Sequence, residues 1–258
     1  MALLEAESIR HCFGGLVALE GVSFQVHPGQ IKAIIGPNGA GKTTLFNIVC
    51  GLIKPTAGTI RFDGKPIAGL KPFQIAAMGI SRTFQNVNLF QHMTVLENVL
   101  VGRHMKGRLG ALACALRLPR QQREERALTE SALRLLDELG LSERAPQAAG
   151  SLSLGQRRLV ELGRALATEP RLLLLDEPAS GLNTKETDDL AGTIRRIRDR
   201  GVTLLLVEHD MSLVMDLADE ILVLDFGVPI AEGSPAKVQT DPKVIAVYLG
   251  EKRDAASG

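Results

Sequence analysis

Residues 36 to 43 read Gly36-Pro37-Asn38-Gly39-Ala40-Gly41-Lys42-Thr43, a GxxxxGK[ST] pattern lying between the apolar run IKAII and the helix-like stretch KTTLFNIVCGL. In that setting a glycine-rich turn lets backbone N–H groups converge on phosphate oxygens. The helix start adds the positive end of its dipole. Lys42 brings a point charge to β- and γ-phosphates, and Thr43 a hydroxyl for Mg²⁺. The competing reading is a structural glycine turn. A second group follows four leucines, Leu172 to Leu175: Asp176 and Glu177. A buried strand that ends in two carboxylates needs a reason. Asp176 is placed to hold Mg²⁺, and Glu177 to polarise an attacking water as general base. The bland alternative is a surface pair or an acid at a helix start.

His209 ends the apolar run VTLLLVEHD. Ligands of parallel α/β sheets bind beyond the carboxyl ends of the strands, so His209 falls on the same rim as Lys42 and Asp176–Glu177. There it would hydrogen-bond a γ-phosphate and orient Glu177. The other histidines, His11, His27, His92 and His104, read as structural. The stretch Leu152-Ser153-Leu154-Gly155-Gln156 opens an amphipathic helix, RRLVELGRALATEP, and forms a second anion-binding helix start. One chain with two such starts suggests that the second serves a nucleotide on another subunit.

These residues need elements to hold them. Near-continuous apolar runs (IKAIIG, LLLL, VTLLLV and ILVLDFG) alternate with amphipathic helices, the pattern of a parallel sheet covered on both faces. The helix after Asp176–Glu177 carries Leu190, Ile194 and Ile197 on one stripe. Two hairpins are expected early: VSFQV with IKAIIG around His27-Pro28-Gly29, and TIRF with the segment after Asp63-Gly64. Between roughly residues 86 and 160 no strand pattern is strong. Leu128, Ala132, Leu135, Leu136 and Leu139 have helical spacing, and Gly140 is a plausible stop, so a helical lobe is inserted into the α/β lobe. Within it GRLGALACALRLPR reads as a buried helix hairpin or as a membrane-proximal or partner surface. The closing KRDAASG reads as frayed.

Composition narrows the function. The chain has 258 residues, 45% hydrophobic and 23% charged, enough for a core without staples. Its net charge of +1 supplies no global field for nucleic acid or anionic membrane, and with 3% aromatics a base-stacking surface is not expected. Cys12, Cys50 and Cys114 are far apart and form no CxxC pair, which fits a reducing compartment. MALLEAESIR lacks the basic start and apolar core of a signal peptide, and no apolar run approaches a membrane span.

Taken in order, GPNGAGKTT, Gln85 in RTFQN, LSLGQ, LLLLDEP, the turn Ser180-Gly181-Leu182-Asn183 and His209 resemble the motifs of ATP-binding subunits of ABC transporters, over about residues 3 to 250. FGGLVAL, RTFQNVNLF, VEHDMSLVMDLADEILVLDFGVPIAEG and DPKVIAVYLGE are closest to the ATPases of bacterial branched-chain amino-acid importers. The resemblance implies one α/β domain over 1–258: a P-loop NTPase (RecA-like) core over 1–85 and 160–235 with parallel sheet and N-terminal antiparallel β subdomain. A helical signature subdomain would span 86–159, and a C-terminal helix and tail 236–258. Gly36 through Thr44 (Gly36, Pro37, Asn38, Gly39, Ala40, Gly41, Lys42, Thr43 and Thr44) would hold ATP. Phe13 would stack on adenine, where the family more often has Tyr; the alternative is a core Phe. Gln85 would reach Mg²⁺ or the water and couple the site to the permease. Ser153, Gly155 and Gln156 would complete the partner's ATP site across a head-to-tail dimer. Leu89 and Phe90 would touch a permease helix or else belong to the helical-lobe core.

Two residues depart from the family pattern: Leu154 for the usual Gly and Asn183 for the more common Asp. The implied partners are two transmembrane permease subunits, a second ATP-binding subunit that is either a paralogue or another copy, and indirectly a periplasmic or extracellular binding protein. The implied location is the cytoplasmic face of the cell membrane. Two alternatives keep the phosphate loop: a soluble ABC ATPase acting on nucleic acid or ribosomes, and a small-molecule kinase.

Overall fold

The computed structural model describes residues 1–83, 87–103 and 119–254. Its strands form two sheets. Strands β1 (Leu4–Phe13), β2 (Leu16–Val26), β4 (Ala57–Phe62) and β5 (Lys65–Pro66) make an antiparallel sheet in the order β2-β1-β4-β5. Strands β3 (Ile31–Ile35), β6 (Ile80–Arg82), β7 (Leu172–Asp176), β8 (Thr203–Val207), β9 (Glu220–Asp225) and β10 (Val228–Gly233) make the second, in the order β10-β9-β3-β8-β7-β6. Its pairings are parallel except at β10, which runs antiparallel along the edge.

The burial patterns explain the division. All five residues of β3, β7 and β8 are buried, so both their faces are covered. Even and odd positions go to different cores. Ile31, Ala33, Ile35, Leu173, Leu175, Leu204 and Leu206 join the core under the helices. Ile34, Leu172, Leu174, Leu205 and Val207 join the core against the antiparallel sheet. Each leucine so enclosed stabilises the fold by about 1.5–3 kcal/mol.

The Asp63-Gly64 hairpin forms as expected: Phe62 faces Lys65, and both turn residues have positive φ, 52° and 72°. The other expected hairpin does not. Residues 27–30 do turn, with the Gln30 N–H donating to the His27 carbonyl at 3.1 Å. But β2 pairs with β1, whereas β3 lies between β8 and β9. β2 alternates and suits a half-covered sheet; β3 is buried at every position, apolar at all but Lys32, and suits the middle of a doubly covered one.

The helices are α1 (Lys42–Val49), α2 (Pro72–Ala77), α3 (Val95–Arg103), α4 (Pro119–Glu138), α5 (Leu154–Leu166), α6 (Thr184–Asp199), α7 (Met211–Leu217), α8 (Pro235–Gln239) and α9 (Pro242–Asp254). Helices α3, α4 and α5 pack together as the inserted lobe. Ala132, Leu135, Leu136 and Leu139 are buried there, and Gly140, at φ 69°, ends the run with Leu141 N–H donating back to the Leu136 carbonyl at 2.8 Å. Lys252–Asp254, expected to fray, continue α9. The apolar stretch 107–118 lies outside the described residues, as does 255–258. Among the described residues no helix is long and apolar enough to cross a membrane.

Candidate functional site

Strands β3, β8 and β7 are neighbours, and their carboxyl ends stop level: Ile34 faces Val207, and Val207 faces Asp176. The three predicted groups therefore leave the sheet on one rim. The loop after β3 is built by close approach. A side chain at Gly36 would put its Cβ 2.1 Å from the Leu224 carbonyl oxygen, so only glycine fits against β9. Gly39, at φ 83°, has nothing within 4 Å of that position, so the outer side of the loop is open. A loop tight against the sheet and open outward is the cradle a phosphate needs. Lys42, buried at the start of α1, donates from Nζ to the Gly36 and Pro37 carbonyls at 2.6 and 2.8 Å, which centres its charge in the loop. Asn38 and Thr43 are exposed at the mouth, with Pro37 and Thr44 half-buried and Ala40 buried beneath.

Asp176 is only 4% exposed and closes β7. Its Oδ2 accepts from Arg82 Nη2 at 2.6 Å, and Arg82 Nη1 donates to Asn47 Oδ1 of α1, also at 2.6 Å. This buried pair ties the end of β6 to β7 and α1. Glu177 adopts φ 47°, a left-handed conformation that costs an L-residue roughly 1–2 kcal/mol. Its N–H donates to the Val207 carbonyl at 2.8 Å. That turn carries the carboxylate to His209, whose Nε2 lies 2.5 Å from Glu177 Oε1. Such a contact holds a proton between ring and carboxylate and fixes the orientation of both groups. Thr43 and Asp176 are hard oxygen donors on this rim, the type Mg²⁺ takes beside phosphate oxygens. Among the described residues no three His, Cys, Asp or Glu side chains cluster as a metal cage.

Gln85 lies outside the described residues. The strand that leads to it ends at the rim: Arg82 faces Leu174, and Thr83 N–H donates to the Leu174 carbonyl at 2.9 Å. Phe13, at the end of β1, is 50% exposed and meets the His11 ring edge-on with centroids 4.6 Å apart. It is not a core Phe. Leu89 packs against the helical core, whereas the Phe90 ring is 52% exposed on a backbone pinned by Asn98. Leu89 thus belongs to the helical-lobe core, and Phe90 does not.

Ser153, Gly155 and Gln156 do not join the rim. They open α5 and line a cleft with Leu182, Glu186 and Leu190. Ser153 Oγ accepts from Gln156 N–H at 3.3 Å, and Gln156 Oε1 accepts from Ser153 N–H at 3.1 Å, a reciprocal cap. A Cβ at Gly155 would lie 2.8 Å from Glu186 Oε1. Leu154, the departure from the family's Gly, points its Cδ2 toward Gly181 of the Ser180–Asn183 turn. Asn183 caps α6, its Oδ1 accepting from Glu186 N–H at 3.0 Å, a task Asn and Asp perform equally well.

Sequence reasoning missed two rim residues, Arg82 and Glu208. Glu208 is buried, and its carboxylate accepts from Ala179 N–H at 2.8 Å and His209 N–H at 2.9 Å. The clue for Glu208 was present in VEHD: an acid at the end of a buried strand, the same signal that marked Asp176. Arg82 had no comparable signal.

The sheet order and the loop define a nucleotide-binding P-loop protein of the α/β class. Residues 19–180 match the family described as ABC transporter, and residues 228–254 the family described as branched-chain amino acid ATP-binding cassette transporter. The chain belongs to the ABC transporter family, as an ATP-binding ATPase subunit. It is 48% identical to the high-affinity branched-chain amino acid transport ATP-binding protein BraF of Pseudomonas aeruginosa, over 96% of this chain and 98% of that one. Identity to LivG of Escherichia coli, which carries the same description, is 44% over the same shares. Among solved structures it resembles an ATP-binding cassette of an ABC transporter in its ADP conformation, with TM-score 0.85 and 36% identity over 97% of this chain and 99% of that one.

Proposed function

We propose that this chain is the ATP-hydrolysing motor subunit of an importer of branched-chain amino acids. The observation that carries the reading is near-full-length similarity to transport ATP-binding proteins named for those substrates, extending through residues 228–254 beyond the nucleotide rim. The same names favour transport over the nucleic-acid alternative. In this reading residues 1–85 and 160–235 form the nucleotide-binding core, 86–159 the signature subdomain, and 236–258 a C-terminal appendage.

Lys42 and the N–H groups of Gly36–Thr44 bind the phosphates, and Phe13 stacks on adenine. Glu177 takes a proton from the attacking water, and His209 holds the Glu177 carboxylate in line while facing the γ-phosphate. Thr43 and Asp176 would hold Mg²⁺, which would supply positive charge to offset that of the phosphates. Ser153, Gly155 and Gln156 close on the nucleotide of a second ATP-binding subunit. ATP must favour the closed pair over the open one, because only differential affinity shifts such an equilibrium. Gln85 passes the change to two permease subunits, with Phe90 offering an apolar contact. The chain sits peripherally on the cytoplasmic face of the cell membrane, and a binding protein on the far side delivers cargo.

The test is co-purification from native membranes in mild detergent, with mass spectrometry of what accompanies the chain. Two polytopic membrane proteins and a second ATP-binding subunit are expected. Recovery with ribonucleoprotein alone would overturn the transport reading and leave the ATPase chemistry standing.

A further inference from the structure

The hydrolytic reading gives the buried carboxylate of Glu208 no task. Glu208 is 4% exposed, directly beyond the end of β8. A carboxylate enclosed that far must recover its lost hydration through hydrogen bonds. Glu208 does so with backbone donors from two separate loops. Oε1 accepts from Ala179 N–H at 2.8 Å; Oε2 accepts from His209 N–H at 2.9 Å and Asp210 N–H at 3.4 Å. Ala179 is two residues past Glu177, and His209 is the next residue along the chain.

Two bonds thus tie the 177–179 turn to the end of β8: Glu177 N–H to the Val207 carbonyl at 2.8 Å, and Ala179 N–H to the Glu208 carboxylate. Between them stands Glu177, in a left-handed conformation at φ 47° that persists only where its surroundings over-determine it. Ser180 N–H adds a bond back to the Glu177 carbonyl at 3.1 Å, but that bond stays within the turn and does not fix the turn against His209. We infer that Glu208 is a positioning residue for ATP hydrolysis: its carboxylate clamps the Glu177 turn to the His209 loop and sets the 2.5 Å contact between the two side chains. The inference rests on reading Glu177 and His209 as the hydrolytic pair.

Glutamine is the informative replacement. It has the same shape, but one oxygen and one NH₂ in place of two acceptors. Whichever way the amide turns, a donor meets a donor, either at Ala179 N–H or at His209 N–H. One loop is released while the core around the side chain stays filled.

The experiment measures kcat and KM for Mg·ATP in the 258-residue chain, as Glu208→Gln alone and combined with Glu177→Gln, with circular dichroism confirming the fold. Displacement of a catalytic group by about an ångström costs up to roughly a hundredfold, so Glu208→Gln should lower kcat at least tenfold. KM should stay within about threefold, because the phosphate loop is untouched. In the Glu177→Gln background the second change should slow turnover no further, since the group it positions is already gone. Unchanged kcat, a KM that rises in step with the loss, or a full multiplication of the two losses would each overturn the inference. Should Glu208→Gln fail to fold, Glu208→Asp keeps the charge and withdraws it by one methylene; the same KM-sparing loss is expected, and wild-type kcat in folded protein would overturn the clamp. Near-normal turnover in Glu177→Gln alone would remove the hydrolytic pair itself. A slow Glu177→Gln beside a normal Glu208→Gln would remove only the clamp.

Discussion

The phosphate-loop rim and the Ser153 helix end both read in the sequence as anion-binding helix starts, yet they are braced in different ways. The rim draws on β3, β7 and β8, whose ends lie level, and three of its parts are held by residues remote in sequence: Asp176 by Arg82, Ala179 by Glu208, Gly36 by close approach to Leu224. The Ser153 end is local. Its donors and acceptors lie within one helical turn, and the neighbour that limits it is Glu186 on α6. The rim is thus fixed by the folding of the sheet. In the proposed function the helix end is a preformed half-site that gains a ligand only when a second subunit brings one to it. A motor that uses ATP to join two subunits needs this asymmetry: one surface that binds nucleotide in the single chain, and one that reads it in the pair.

That contrast makes substitutions at the two ends separable. Lys42→Ala removes the side-chain charge centred in the loop, and buried charge-assisted contacts to phosphate are strong. ATP affinity should fall by about a hundredfold or more, read by calorimetry or nucleotide fluorescence; an unchanged Kd would break the rim assignment. Gly155→Ala should do the reverse. Its Cβ displaces Glu186, so ATP binding to the single chain should stay within about twofold while steady-state hydrolysis falls by roughly tenfold or more, as expected when an interaction made only in the closed state is lost. A Gly155→Ala chain that loses ATP binding in step with hydrolysis would erase the difference between the two ends.

The smallest effect concerns the packing behind the rim. Cys50, at the end of α1, is partly enclosed; burial pushes its thiol up to about 11, against the opposing pull of the nearby Arg82 guanidinium. The thiolate therefore becomes abundant only above about that pH, and near pH 7.5 a neutral alkylating reagent should label Cys50 slowly in the native chain and quickly once denatured. Fast native labelling would show the backing of the phosphate loop to be looser than described.

How much of this was legible in the sequence follows the same division between local and remote. GPNGAGKTT, LLLLDE and VEHD each announce the end of an apolar strand and the chemical groups beyond it, so the rim could be assembled from motifs and the rule that ligands bind beyond strand ends. The reciprocal cap at Ser153–Gln156 is equally local. Remote partners were not legible. Arg82 and Asp176 are 94 residues apart, Glu208 and Ala179 29, and no pattern within either segment announces the other. The misread hairpin has the same origin. A Pro-Gly turn between two apolar runs looks like a hairpin, but which strands pair depends on whether one face or both faces of each are covered. For Phe13 the sequence offered adenine contact or core, and only the fold put its ring at the surface.

The most direct test of the account is the Glu177→Gln chain supplied with Mg·ATP. Loss of a general base costs about a hundredfold to ten-thousandfold, so turnover should nearly cease while ATP stays bound. Closed pairs of ATP-binding subunits should then accumulate, seen as a nucleotide-dependent shift in mass by size exclusion with light scattering. A variant that hydrolyses ATP at a near-normal rate and stays single would contradict both the role of Glu177 and the division of labour between the rim and the helix end.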